Sequence, residues 1–346
     1  MKQRSVNIEL LRIVSMFMVV MLHCLGQGGV IAHSHGSAYN LTWLAETFCF
    51  GAVNLFALIS GYVGVTARHR WGKVLLFWVE TFFYYVLCTL AVVCFTDYSL
   101  RTVDVLLLFF PISNKAYWYM TAYFALLCFR PFVNRLIEHL SKTEFRTLLR
   151  IGFLLFASVG CLIKDAFATV SGYSFVWLLY LYFVGAYFRT YPETRSKWLN
   201  LLLYVVLSLI AYFMKFYIIP NTGGFMGTGW GVSYTSPFIF LASLELFLFF
   251  TKLRCPDLRI VREAASVTLP VYLIHVSPAV FSQVMKNCLV RYCRGDWRNL
   301  FVALAAAFVI YVACSLLGYA QKKLFSLLRI PALCDRLTTR RQKTAP

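Results

Sequence analysis

The sequence predicts an all-α polytopic integral membrane protein with about ten transmembrane helices and both termini in the cytoplasm. Three observations carry this expectation. Of 346 residues, 60% are hydrophobic and 14% charged, where a soluble domain carries about 25% charged residues. Apolar stretches of the ~20 residues needed to cross a bilayer recur along the whole chain. Lysine and arginine alternate between dense and sparse connectors in the positive-inside manner.

The expected spans run 8–27, 42–65, 74–95, 116–136, 146–163, 173–190, 198–218, 234–251, 266–288 and 300–325. The first carries Glu9 and Arg12 at its start with no small-residue cleavage site after it, so it reads as a span rather than a leader. The second, FGAVNLFALISGYVG, sets Gly51, Gly61, Gly64, Asn54 and Ser60 where helices pack closely. Between the third and fourth, VDVLLLFFPI is too short to cross and is expected to lie at the interface or re-enter. The fourth opens with YWYMTAY, whose Trp118 and tyrosines read first as interfacial anchors and second as a platform for a sugar ring. The fifth and sixth are the shortest. Glu245 is an isolated acid in the eighth and needs a partner. In the ninth, Pro270 and Pro278 flank His275 and loosen the backbone bonding around it. The uncharged, glycine-rich stretch 219–236 reads as a flexible outer loop covering an opening.

With the N-terminus inside, the cytoplasmic segments hold most of the 33 lysines and arginines, while Arg12 and Arg130 stay inside or at the edge of spans. The net charge of +19 is then explained by topology and by attraction to anionic lipid, and calls for no nucleic-acid partner. Most of the 11 cysteines sit in spans as small apolar residues, with no C-x-x-C pair and no zinc spacing. Cys288 and Cys293 flank the last outer loop and are the pair placed to bridge. His33 and His35 form a bare H-S-H in a loop, a poor metal site. No metal is expected.

The chemistry concentrates in the first span. Arg12 and His23 are 11 positions apart, about 1100° of rotation at about 100° per residue, so both face one side about 16 Å apart along the axis. Glu9, three residues before Arg12, lies on the same stripe and can pair with it. Ionisable groups inside a span are costly and usually functional. His23 reads either as a buried interhelical hydrogen-bonding group or as a general base for a hydroxyl. Arg12 reads either as a snorkelling side chain or as a ligand for an anion. His275 is a second intramembrane histidine and a further candidate, as is Glu9. Arg68, His69, Arg70 and Lys73 crowd the end of the second span. Topology suffices to explain them, and phosphate binding is the sharper reading.

The R-x10-H spacing of Arg12 and His23, with NLFALISGY at 54–62, WYMTAYFALLCFRPFVN at 118–134 and VYLIHV at 271–276, resembles the membrane acyltransferase 3 family. The resemblance runs from residue 7 to about 330, leaving 331–346 as a basic cytoplasmic tail. It implies a multi-pass enzyme of the inner (cytoplasmic) membrane that moves an acyl group, usually acetyl. The implied donor is cytoplasmic acetyl-CoA, and the implied acceptor is a hydroxyl of a cell-surface glycan or glycolipid. Arg12 and His23 would be the essential pair, with Arg68 and Arg70 matching the family's basic residues after the second span. Direct transfer with His23 as general base and an acetyl-histidine intermediate are both open. Outside this class stand a multi-span transporter of a lipid-linked sugar or similar envelope precursor, and a sensory or scaffolding protein.

Overall fold

The computed structural model describes residues 5–340, whose regular structure is all helical, with no strand among them. Lys2, Arg4 and residues 341–346 of the expected tail lie outside the described residues. The helices are α1 (Val6–Leu25), α2 (Gly36–Phe50), α3 (Ala52–Gly64), α4 (Trp71–Phe95), α5 (Thr102–Leu107) and α6 (Trp118–His139). Then follow α7 (Lys142–Gly152), α8 (Phe175–Thr190), α9 (Lys197–Phe213), α10 (Pro237–Thr251), α11 (Arg259–Ser266), α12 (Thr268–His275), α13 (Pro278–Val280), α14 (Arg298–Leu327) and α15 (Ile330–Arg340).

Among the described residues, five helical stretches are long and apolar enough to cross a membrane: 6–25, 36–64, 71–95, 197–222 and 298–327. The pair 259–275 and 278–292 qualifies jointly as a sixth, bent by 59°. Phe175–Thr190 and Pro237–Thr251 are apolar but shorter. The expected fourth span falls on α6, which also carries Arg130, Arg135 and Glu138. The expected fifth is broken into α7 and a wider turn at Phe153–Ser158. The bend in the ninth follows its prolines: Pro278 opens a new helix after extended Ser277, so the preceding helix ends at His275.

Helix α1 is the hub, packed against α2, α3, α10, α11, α12 and α14. Asn7 ties its start to the end of α10, donating to the carbonyls of Phe250 (2.9 Å) and Thr251 (3.1 Å). Both carbonyls lie in the last turn of α10, where the regular i to i+4 bonding runs out. The glycines of the second span do what their spacing suggested. A Cβ on Gly61 would lie 2.0 Å from the Tyr182 carbonyl oxygen, and one on Gly185 2.0 Å from that of Leu58, so α3 and α8 touch backbone to backbone. Asn54 is fully buried between them, accepting from Trp177 Nε1 (2.9 Å) and donating to the Tyr234 carbonyl (2.9 Å).

Residues 330–340 form a helix lying on α4, with Asp335 paired to Arg70. The 219–236 stretch is tied down rather than free: Trp230 Nε1 donates to Ser158 O (3.0 Å) and the Gly227 amide to Leu162 O (2.6 Å). Helix α5 and the residues after it expose Val103, Leu106, Phe109 and Phe110, an apolar surface suited to lipid. All 11 cysteines are free thiols, Cys288 and Cys293 included.

Candidate active site

A cavity of about 680 Å3 runs beside α1 and is lined by both Arg12 and His23. The helical stripe drawn from their spacing is thus one wall of a real space. Three elements contribute cations near the Arg12 end: Arg12 from α1, Lys73 from the first turn of α4 and Arg130 from the second half of α6. Glu9 holds Arg12 through a 2.6 Å ion pair. Arg130 donates from Nη2 to His69 Nδ1 at 3.1 Å, which joins the 64–71 connector to α6. Burial and the neighbouring Arg130 charge both push the His69 imidazole below its ordinary range.

Towards the other end the walls are aromatic. Trp118, Tyr119 and Tyr123 line the cavity from α6, Tyr272 from α12, and Tyr173 and Tyr234 from the loops. Trp118 is therefore part of the cavity wall. Its ring lies 4.4 Å from that of Tyr173, which lies 5.0 Å from that of Tyr234. Two acids, Glu46 and Glu80, also line the space.

At that end His23 Nδ1 is 3.0 Å from His275 Nε2. His275 Nδ1 is in turn 2.5 Å from the Val271 carbonyl, one turn earlier in α12. A carbonyl only accepts, so His275 carries its proton on Nδ1 and offers a bare Nε2. That bare nitrogen needs a donor, which fixes the His23 proton on Nδ1. The remaining nitrogen, His23 Nε2, is left as an unprotonated acceptor with no protein partner among the described residues. Phe281 holds the His23 ring edge-on, with centroids 5.1 Å apart. Tyr117 braces the same turn of α12 by donating to the Leu273 carbonyl at 3.0 Å.

Several buried polar atoms on the cavity wall have no partner among the described residues: Glu46 Oε2, Tyr119 Oη, Arg130 Nε and Tyr272 Oη. Each unpaired buried group costs about 1–3 kcal/mol. Their concentration around one space fits a polar ligand that satisfies them.

Of the residues singled out in the sequence, Arg12 and His23 line the cavity, with Glu9 behind Arg12 and His275 behind His23. Arg68 and Arg70 do not line it; both are exposed, and Arg70 is engaged by Asp335. Glu245 lies elsewhere, in a polar knot with Arg195 (2.9 Å) and Asn200. Sequence reasoning missed Glu46 and Glu80 as members of the cavity and left Arg130 unassigned. All three are ionisable residues within apolar helices, which is a signal a stricter reading could have used.

A family model described as an acyltransferase domain matches residues 5–326. No curated protein and no solved structure matches the chain.

Proposed function

The chain belongs to the acyltransferase 3 family, and from that premise we propose that this multi-pass membrane protein moves an acetyl group from acetyl-CoA to a hydroxyl of a cell-surface glycan or glycolipid. The observation that carries the reading is one cavity that joins a cationic end at Arg12, Lys73 and Arg130 to the bare Nε2 of His23. Phosphates of the donor lie against the cations, and the pantetheine arm reaches along the cavity towards His23. The acceptor hydroxyl comes from the aromatic end, which faces outward if the N-terminus is cytoplasmic.

In the chemical step His23 Nε2 takes the proton of the hydroxyl as its oxygen attacks the thioester carbonyl. The tetrahedral adduct collapses, the carbon–sulfur bond breaks, and the imidazolium returns the proton to the departing thiolate. The products are an O-acetyl ester and CoA thiol. His275 keeps its proton throughout and stabilises the His23 cation through its bare Nε2, as a positioning residue. The unpaired hydroxyls of Tyr119 and Tyr272 are available to the substrate oxygens.

The test is transfer of label from acetyl-CoA to glycan by purified protein in vesicles, compared with His23→Ala at matched folded protein. Transfer by the wild type that falls about 10²–10⁴-fold in the variant supports the base. Transfer that survives the substitution overturns it. Absence of both transfer and acetyl-CoA binding in folded wild type overturns the donor and shifts weight to the transporter of a lipid-linked sugar.

A further inference from the structure

A second cavity of about 310 Å3 lies under the 219–236 loop and shares Phe50, Tyr173 and Tyr234 with the main one. These three rings line both spaces. They form a tight aromatic partition, with Phe50 and Tyr234 centroids 4.8 Å apart and Tyr173 and Tyr234 5.0 Å apart. The partition is fixed from behind, because Asn54 holds the Tyr234 carbonyl at 2.9 Å. The rest of the lining is of a different kind. Ser171, Thr228 and Ser233 bring hydroxyls, Gly229 brings bare backbone, and Lys215 is the one charged residue. The hydroxyls of Ser171 and Thr228 have no protein partner among the described residues. The Lys215 ammonium sits 3.7 Å over the Trp43 ring in a cation–π contact, and the Glu46 carboxyl is close enough to act on its charge.

A flat apolar wall, free hydroxyls and a single cation are what a pyranose bearing an acidic group requires. The ring stacks on the aromatic face, its hydroxyls exchange hydrogen bonds with serine and threonine, and its charge meets a lysine. Position matters as much as chemistry: a sugar here is the neighbour of one whose hydroxyl reaches His23 past the partition. We propose that this outer cavity is a second acceptor subsite that selects an anionic sugar unit, a carboxylate or phosphate bound by Lys215, next to the unit that is acetylated. This rests on the acyl-transfer reading of the main cavity. It assigns to the loop a role in specificity that the reaction itself does not need.

The experiment uses the full chain in vesicles and three short oligosaccharides of one backbone: neutral, uronate-bearing and phosphate-bearing. Acetyl transfer and direct binding without acetyl-CoA are measured for wild type, Lys215→Met and Lys215→Arg. The expected result is an anionic acceptor favoured about tenfold in kcat/KM. Lys215→Met should raise KM for that acceptor with kcat and the neutral acceptor unchanged, and Lys215→Arg should restore it. Whichever anionic acceptor responds identifies carboxylate or phosphate as the group bound. Equal use of all three acceptors by wild type, or an equal effect of Lys215→Met on all three, overturns the subsite while leaving acetyl transfer intact. Lys215-dependent binding of the anionic sugar without any acetyl transfer keeps the subsite and overturns the acyl-transfer reading. Neither binding nor transfer, in protein that melts like wild type, overturns both.

Discussion

His23 Nδ1 and His275 Nε2 stand 3.0 Å apart although 252 positions separate them in the chain. The proton on Nδ1 of His23 is held there only because His275 has spent its own on the Val271 carbonyl. His275→Ala should therefore lower kcat about 10–100-fold, less than the ~10²–10⁴-fold a positioned base contributes because His23 itself remains, with KM for acetyl-CoA unchanged. His275→Gln, whose amide oxygen can accept from His23, should recover part of the loss. Steady-state kinetics over a pH series separates this from misfolding, because only loss of positioning changes the shape of the profile.

Arg130 and Arg68 make a second contrast. Arg130 lines the cavity with its Nε unpaired, whereas Arg68 lies outside and exposed. Arg130→Ala should raise KM for acetyl-CoA about tenfold, as expected for loss of one charge-assisted contact to phosphate. Arg68→Ala should change it less than twofold. Titration calorimetry with CoA checks the ranking, and equal effects would return phosphate binding to the whole connector.

How far these assignments were legible in the sequence depends on distance along the chain. Glu9, Arg12 and His23 share a helix, so a 3.6-residue period places them on one face without any tertiary information. The pairing of His23 with His275 depends on how α1 meets α12, which no local pattern encodes. Arg130 was hidden for another reason: a cation near a helix end reads as topology, and only its approach to His69 and the cavity gives it a different meaning. The broken fifth segment and the bent ninth escaped a hydropathy reading because wide turns and proline breaks leave the average composition unchanged.

The backbone contact at Gly61 leaves no room for a methyl group, since the nearest atom is a carbonyl oxygen rather than a pliable side chain. Gly61→Ala should cost about 1–3 kcal/mol by forcing α3 from α8. Thermal unfolding in detergent should show the drop, and Gly223→Ala, where a Cβ meets nothing within 4 Å but φ is +61°, should show a smaller one of about 1 kcal/mol.

His69 supplies the pH dependence. Its pKa is lowered in the folded chain by burial and by Arg130, so the unfolded chain binds the proton more readily. The sign follows: stability from this group is complete above the unfolded value of about 6.5 and is lost as pH falls through the lower folded value. Melting temperatures of wild type should fall on acidification below that point, and His69→Asn should flatten that part of the curve. A wild-type curve that rises on acidification would contradict the assignment.

The central position of α1 has a consequence for biosynthesis. The helix that carries Arg12 and His23 leaves the ribosome well before His275, which follows His23 by 252 residues. At translation rates of about 5–20 residues per second, that interval is on the order of 10–50 s. For that time the first helix has Glu9 as its own counter-ion for Arg12 and no partner for His23. His23 thus gains its Nδ1–H tautomer only when the last third of the chain docks, and a nascent fragment holds the histidine without the partner that orients it.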